Sequence, residues 1–209
     1  MTALVWDAVG ERRYEAGVDR GVLFVPGGPV VPWNGLTSVS EESTREVKEY
    51  YLDGVPFLEE YFPNKFSARL QAYTYPDQLE DMFGLAPHAP GMLLHDQPNK
   101  FFSLSYRTKV GNDLDADHAY RLHILYNVRA NPSGTTYNTL AGGAFNGSML
   151  EWTLTGIPGL VAARSPTNHI SLNSRTIDPA LLGEIEDLIY GTEAFDPTLP
   201  SLDALLALA

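Results

Sequence analysis

Four segments of the chain alternate between apolar and polar residues, and they predict its main β-strands. These segments are residues 65–75, 101–110, 120–130 and 149–155. A period of two places successive side chains on opposite faces of a strand, so each segment has one apolar and one polar face. A final short strand is predicted over residues 169–172. Strands of this kind are typical of antiparallel sheets in which one side faces water.

The alternation assigns each side chain of the two longest strands to a face. The predicted apolar faces hold Phe102, Leu104, Tyr106, Thr108, Val110, Tyr120, Leu122, Ile124, Tyr126 and Val128. The predicted polar faces hold Ser103, Ser105, Arg107, Lys109, Arg121, His123, Asn127 and Arg129. We expect the apolar faces to form the core and the polar faces to meet solvent.

Turn residues separate the strands and predict tight hairpins. Residues 26–29 read Pro-Gly-Gly-Pro between two apolar runs, and residues 34–35 read Asn-Gly. Residues 131–134, Asn-Pro-Ser-Gly, end the strand before them. Residues 111–117 join two well-patterned strands, so the simplest prediction for them is also a hairpin.

Two helices are predicted. Asp178 suits an N-cap, Pro179 the first helical position and Gly191 the residue after the last turn. One helical face between them is apolar: Leu181, Leu182, Ile185, Leu188 and Ile189. A shorter helix is predicted from Pro76 to about Phe83. The fold class is therefore mainly β (α+β), with one substantial helix over residues 178–190 packed on a sheet.

Two segments carry apolar residues for which an isolated monomer has little use. Residues 45–62 predict a long, acidic and aromatic hairpin loop of the kind found at interfaces. After Gly191, prolines prevent a longer helix, and the apolar end that follows is expected to dock on its own core or on a neighbour. We expect its removal to weaken assembly and to leave the core folded. The candidate inter-subunit contacts are Tyr50, Tyr51, Phe57, Tyr61, Phe62, Leu202, Leu205, Leu206 and Leu208.

The charge of the chain bears on its partners. The formal net charge is −12 over 209 residues, and acidic residues are concentrated in 41–60 and after Arg175. Nucleic-acid binding requires clustered Lys and Arg, so that class of function is disfavoured. Solubility explains the acidity most simply, and repulsion of a passing polyanion is the alternative.

Targeting signals and apolar spans are not evident in the sequence. The N-terminus does not have the basic start of a signal peptide, and no apolar run approaches the roughly 20 residues of a membrane span. We therefore expect synthesis in the cytoplasm and no membrane partner. With no Cys, the chain can form neither disulfides nor thiolate metal sites.

No residue pattern indicates catalysis, a metal or a cofactor. The five His residues, at 88, 95, 118, 123 and 169, do not have the close spacing of a ligand pair and are predicted to be ordinary surface residues. Asp113, Asp115 and Asp117 resemble the start of a calcium loop, but the Gly and Glu that such a loop requires are missing. Nucleophile elbows, phosphate loops and dinucleotide fingerprints are absent too. The sequence therefore predicts a protein that is not an enzyme and has no cofactor.

Several phrases, in a fixed order, resemble the major tail proteins of siphophages, particularly those of actinobacterial hosts. They are residues 10–24 (GERRYEAGVDRGVLF), 31–39 (VPWNGLTSV), 72–79 (AYTYPDQL), 102–113 (FSLSYRTKVGND) and 178–191. Together they span nearly all of the chain from residue 5 to residue 191. The match is loose over residues 41–64 and in the Pro-rich tail.

The resemblance implies a tail-tube fold, with an antiparallel β-sandwich or barrel, a flanking helix and extended arms. It implies one domain over residues 1–191, with an N-terminal arm at about 1–19, a projecting loop at about 42–62 and a C-terminal arm at 192–209. Members of the family form hexameric rings that stack into a tube through which viral DNA passes. The implied partners are copies of the chain and the tape-measure, terminator and distal-tail proteins, and the implied location is the virion.

An acidic lumen would keep DNA phosphates from binding, and Glu41, Glu42, Glu46 and Glu49 are the candidates for lining it. The polar strand faces are basic instead, so their Arg and Lys residues either line the lumen or pair with acids across subunits. Two other interpretations stay open: another tail ring component, such as a terminator or distal-tail protein, and a monomeric β-sandwich binding module or glycosidase.

Overall fold

The computed structural model describes residues 6–62, 65–137, 139, 147–161 and 164–208. It confirms a mainly β fold with antiparallel sheets and few helices. The strands are β1 (Arg13–Phe24), β2 (Val30–Trp33), β3 (Leu36–Thr44), β4 (Val47–Leu52), β5 (Val55–Tyr61), β6 (Lys65–Ala72), β7 (Ala86–Ala89), β8 (Met92–Leu94), β9 (Phe102–Asn112), β10 (Ala119–Pro132), β11 (Leu150–Gly156), β12 (Gly159–Val161), β13 (Arg164–Thr167) and β14 (His169–Asn173). The helices are a 3-10 helix (Asp77–Met82), α1 (Pro179–Tyr190) and α2 (Leu202–Ala207). None of the helices among the described residues is long and apolar enough to cross a membrane.

One large antiparallel sheet curls round until its two ends meet. Its strands follow the order β2-β1-β9-β10-β11-β6-β3, and β14 also pairs with β10. β2 and β3 lie at opposite ends of this order, yet only Asn34 and Gly35 separate them in the chain. Gly21 of β1 packs so closely on the start of β3 that an added Cβ would lie 2.5 Å from Cδ1 of Leu36. The sheet is therefore barrel-like.

The larger core lies inside this curl. It takes side chains from all seven strands of the order, including Leu23, Trp33, Leu70, Leu104, Leu125 and Trp152. Ring edges of Trp33, Tyr75 and Trp152 meet at centroid distances of 5.6 Å. β6 alternates buried and exposed side chains as predicted, with Phe66, Ala68, Leu70 and Ala72 inside.

A second core lies on the outer side of the sheet, beneath the two helices. Ile185 and Ile189 of α1 and Leu205 of α2 pack there against Val22 and Phe24 of β1 and against Leu122, Ile124 and Tyr126 of β10. α1 begins and ends as predicted: the carboxylate of Asp178 accepts hydrogen bonds from the N–H groups of Ala180 and Leu181, and Gly191 ends it at a φ of 76°.

Both faces of β9 and β10 are thus covered, which corrects the expectation of one wet face. Ser105 and His123, both assigned to polar faces, are buried. The face of β9 that carries Phe102, Leu104 and Tyr106 points into the curl, whereas α1 covers the opposite face. A local alternation cannot reveal this, because a strand's polar-looking face can be covered by elements far away in sequence.

A β-bulge in β10 corrects the predicted face of Val128. Leu125 pairs with Leu104, but the next pair is Val128 with Phe102, so β10 carries one extra residue there. Asn127 adopts a left-handed φ of 48° at this point. A one-residue slip moves the following side chains to the other face, and Val128 therefore lies in the inner core instead of beneath the helix.

The ends of the chain also differ from the arms expected. Residues 13–19, predicted within the N-terminal arm, pair with β9 as part of β1. The 3-10 helix matches the predicted short helix at 76–83, and strands 150–156 and 169–173 match their segments. Residues 1–5 of the N-terminal arm and residue 209 of the C-terminal arm lie outside the described residues.

Candidate functional site

The β4–β5 hairpin is a separate two-stranded sheet beside the β3 edge of the large sheet. Thr44 of β3 pairs with Lys65 of β6 in the large sheet, and Val47 pairs with Tyr61 at the base of the hairpin. The N–H of Phe62 donates to the carbonyl oxygen of Glu46 at 3.0 Å at this base. The hairpin predicted at residues 45–62 is therefore present.

Every residue of β4 and β5 is exposed, and many of them are large and apolar. Phe57 is 70% exposed and Leu58 is 53% exposed. The other exposed large apolar side chains of the hairpin are Val47, Tyr50, Tyr51, Leu52, Val55 and Tyr61. Four of the five aromatic residues predicted as contacts are in this set, and Phe62, at the hairpin base, is partly buried beneath Nζ of Lys48 at 4.9 Å.

Hydrogen bonds anchor the hydroxyl groups of these tyrosines on the hairpin itself. Tyr50 donates to Glu60 at 3.0 Å, Tyr51 to Glu49 at 2.5 Å and Tyr61 to Glu59 at 2.5 Å. The accepting carboxylates raise the pKa of all three hydroxyls. With the hydroxyls held, the rings present apolar faces to whatever approaches.

The candidate lumen acids differ in their surroundings. Glu46 lies 4.0 Å from Nζ of Lys48 and 3.9 Å from Nζ of Lys65, and Glu49 accepts from Tyr51. Glu42 is exposed on β3. Glu41 stands apart from these three, because its side chain meets Tyr106, His123 and His169 within its own subunit.

The basic residues of the polar strand faces are partnered within the subunit. Arg107 contacts Asp19 at 3.1 Å and Glu186 at 3.9 Å, Lys109 contacts Asp117 at 3.2 Å, and Arg121 contacts Glu15 at 3.4 Å. Arg69 contacts Glu151, and Arg129 stacks over Phe101. Pairing across subunits is therefore not needed to account for them.

The C-terminal arm folds back on its own core. Leu205 is 3% exposed within the outer core, and Leu202 packs at its edge. Tyr126 donates to the carbonyl oxygen of Pro200 at 3.1 Å, and the N–H of Thr198 donates to that of Leu188 at 2.7 Å. Leu205, predicted as an inter-subunit contact, is thus an intramolecular one, because the helix following Ser201 places it against α1 and β10. Leu206 and Leu208 remain exposed.

A cluster of ionisable groups lies where β3, β9, β10 and β14 come together. Nδ1 of His123 lies 3.0 Å from Oε1 of Glu41 and 3.1 Å from Nε2 of His169, and Nδ1 of His169 lies 3.5 Å from Oε2 of Glu41. The His123 ring stacks on Tyr106 at 4.9 Å, and Tyr106 donates to Glu41. The side chain of His123 is 6% exposed and that of His169 is 21% exposed, so the prediction of surface histidines is wrong for His123.

These contacts shift the titration of the cluster. Burial raises the pKa of Glu41, but the hydrogen bonds from His123 and Tyr106 outweigh it and lower that pKa to about 2. Burial lowers the pKa of His169. Burial and the hydrogen bond to Glu41 raise the pKa of Tyr106. Glu41 is therefore an anion facing a neutral His169 near neutral pH.

Sequence reasoning missed this cluster because its members come from strands far apart in the chain. His123 pairs with Ser171 and Leu125 with His169 across the β10–β14 ladder, so the two rings lie on neighbouring strands. Nothing local distinguished these histidines, because both stand at polar positions of strands that alternate apolar and polar residues. The three acidic residues that resemble the start of a calcium loop lie in a turn instead. Asp113 accepts from the N–H of Gly10 at 2.8 Å, Asp115 accepts from the N–H of Asp117, and Asp117 contacts Lys109.

Comparison with known proteins gives no match to a family model and none to a curated protein. Solved structures do show similarity. The sheath–tube complex of an extracellular contractile injection system is 17% identical, with 77% of this chain and 93% of that chain covered and a TM-score of 0.40. A sheath/tube terminator of such a system is 14% identical over 81% of this chain and 99% of that chain, with a TM-score of 0.39. The tube-terminating cap of the anti-feeding prophage is 12% identical over 83% of this chain and 96% of that chain, also with a TM-score of 0.39. Identities and TM-scores this low transfer no residue's role to this chain.

Proposed function

We propose that this chain is a structural subunit of a phage-type tail tube and that it assembles with copies of itself. Rings, hexameric by the family resemblance, would stack around a lumen through which DNA passes. The observation that carries the proposal is the fully exposed β4–β5 hairpin. The ordered sequence segments over residues 10–191, which resemble siphophage major tail proteins, also support it.

An isolated two-stranded ribbon has little reason to persist in water. A hairpin without a third strand or a packed helix is marginally stable, and both of its edges offer unpaired backbone groups. This one projects about 20 Å at roughly 3.3 Å per residue, and it exposes apolar side chains on both faces. A surface of this size and character is typical of a binding site. A second copy of the chain that covers the hairpin would bury these apolar side chains and pair its exposed edges.

In the assembly that we propose, the hairpin lies on the adjacent ring. Its outer half is mainly apolar, and its charged residues, five acidic and two basic over 45–62, lie mostly toward its base. Leu206 and Leu208 remain available for a neighbour, while Leu205 holds their helix in place. The net charge of −12 would keep passing DNA from binding the wall, with Glu42, Glu46 and Glu49 as the acids that we propose for the lumen.

The test is electron microscopy of the purified chain over a range of concentrations, together with light scattering. We expect rings and tubes from the wild type. Phe57→Ser combined with Leu58→Ser should abolish stacking and leave the subunit folded, because neither side chain is buried in the monomer. Leu160→Ser is the control, since Leu160 is 84% exposed, more than either hairpin residue, and lies on β12, outside the hairpin.

The outcomes separate the alternatives. A wild type that stays monomeric at every concentration would overturn the proposal. Single rings that never stack would indicate a terminator or distal-tail ring and not a tube. Loss of stacking in the Leu160→Ser control as well would show that exposed apolar residues act non-specifically, and the hairpin would lose its special role.

A further inference from the structure

We propose that Glu41, His123 and His169 form a binding site for a divalent transition-metal ion such as Zn²⁺. Within the part of the chain that the structure describes, these three are the one group of His, Asp and Glu residues whose ligand atoms all lie within 4.8 Å of one another. The inference is independent of assembly, because every ligand belongs to a single subunit.

The spacing of the ligand atoms fits such an ion. Nδ1 of His123 lies 3.0 Å from Oε1 of Glu41 and 3.1 Å from Nε2 of His169. At the usual zinc distances of about 2.0–2.1 Å, tetrahedral ligands stand ~3.3 Å apart, so these two pairs are already close to the required separation. Two imidazole nitrogens and one carboxylate favour zinc, copper, nickel or cobalt over magnesium or calcium, which prefer oxygen ligands.

The neighbours of His123 direct its ligand atom toward the site. Oγ1 of Thr108 lies 3.1 Å from Nε2 of His123, and the Thr108 hydroxyl itself donates to Glu15. With its proton used in this way, Thr108 can only accept from Nε2–H, which fixes the ring so that Nδ1 faces Glu41 and His169. Tyr106 donates to Oε1 of Glu41, the same oxygen that faces His123. These hydrogen bonds orient two of the three ligands.

A metal ion would replace a proton in this arrangement. Nδ1 of His123 and Oε1 of Glu41 lie 3.0 Å apart, a hydrogen-bond distance in the metal-free protein. On binding, the ion would take the place of the proton between these two atoms. A metal ion also engages His169, which a single proton shared with Glu41 does not.

The site can be reached from solvent. A surface cavity of about 420 Å³ is lined by Glu41, Phe66, Asn168 and His169, among others. The side chains of Glu41 and His169 are 31% and 21% exposed, whereas that of His123 lies deeper. An ion held by three protein ligands would therefore keep a fourth position toward the cavity, where water can bind. The ion would join β3, which runs directly into the projecting hairpin, to β10 and β14.

The experiment uses untagged full-length protein, because a histidine tag would itself bind metal. After dialysis against a chelator, Zn²⁺ alone is titrated by calorimetry, and Co²⁺ alone is added to record its visible spectrum. We expect one equivalent of Zn²⁺ per chain, a melting temperature that rises with Zn²⁺, and the strong visible absorption of four-coordinate Co²⁺.

Variants assign the binding to these residues. Glu41→Gln and His169→Gln should each weaken Zn²⁺ binding more than 100-fold, and Thr108→Val about 10–100-fold through the orientation of His123. His95→Gln is the control, because His95 is exposed and remote from the cluster, and binding should not change. If a variant fails to fold, the Co²⁺ spectrum of the wild type still tests whether the chain holds a four-coordinate metal ion. No saturable binding to the wild type, or equal binding by wild type and His169→Gln, would overturn the site.

Discussion

The β4–β5 hairpin and helix α2 are both apolar extensions of the folded core, and only one of them finds its partner in its own chain. α2 has a single apolar side, and Leu205 on that side enters the outer core beside Ile185 and Ile189. The hairpin has apolar side chains on both faces, with Tyr50 and Leu52 on one side of β4 and Val47 and Tyr51 on the other. One docking surface buries Leu205 of α2 and leaves Leu206 exposed, whereas the hairpin needs a partner that covers both of its faces.

The difference lies in what each extension contributes to an isolated subunit. Backbone and tyrosine hydrogen bonds hold the segment that precedes α2. Leu205 of α2 is about as buried as Ile185 and Ile189 of α1. The hairpin adds strand pairing and almost no burial. Changes in α2 should therefore alter the stability of the subunit, and changes in the hairpin should alter only what the subunit binds.

The largest effect is expected from Leu205→Ala. Removing a fully buried Leu side chain leaves a cavity, and we expect the free energy of unfolding to fall by about 2–4 kcal/mol. Leu206→Ala, one residue along the same helix but exposed, should change it by less than about 0.5 kcal/mol. Urea unfolding of both variants measures the contrast, and equal small effects would show that α2 is not docked.

A smaller effect is expected from Tyr126→Phe, which removes the hydrogen bond to the carbonyl oxygen of Pro200. The loss should be about 1 kcal/mol near neutral pH. Burial raises the pKa of Tyr126 to about 12, so the folded state favours the neutral phenol. This contribution is complete below the ordinary tyrosine pKa of 10.0 and is lost as the pH rises through 12.

Alkaline unfolding tests this assignment directly. The stability of the wild type should fall more steeply between pH 10 and pH 12 than that of Tyr126→Phe. Burial also raises the pKa of Tyr106 and Tyr190, but both proteins retain these residues, so the difference isolates Tyr126. Parallel curves would mean that Tyr126 is not buried beneath the arm.

The smallest effect on stability is expected from removing the hairpin. Residues 47–61 can be replaced by Asn-Gly, because the N–H of Phe62 already donates to the carbonyl oxygen of Glu46, as the last and first residues of a two-residue turn require. We expect the free energy of unfolding to change by no more than about 0.5 kcal/mol and tube assembly to disappear. A large loss of stability would show instead that the hairpin supports its own subunit.

Individual elements show which parts of the fold could be predicted from the sequence. The alternation over β6 and the capped helix α1 were predicted correctly, because each depends on side chains a few residues apart. The projecting hairpin was predicted for the same reason. The face of Val128 was missed because a single bulged residue at Asn127 reverses the alternation, and no local signal marks that position in advance.

The Glu41–His123–His169 cluster lay beyond sequence reasoning for a different reason. Its ligands come from β3, β10 and β14, and only the pairing of these strands brings them together. Lys and Arg on the polar faces were similarly misjudged, since Arg107 finds Asp19 and Glu186 from two other elements. Contacts between segments that are distant in the chain leave no periodic pattern in the sequence, so they could not be predicted from it.

The sequence by itself determined the main alternating strands, the capped helix, the acidic character and the apolar hairpin, because backbone geometry and side-chain alternation are local properties. Only the tertiary structure decided that the sheet curls on itself, that α2 docks on its own subunit and that two histidines meet a glutamate. Those outcomes depend on which surfaces cover one another when the whole chain is packed, and burial is a property of the assembled fold.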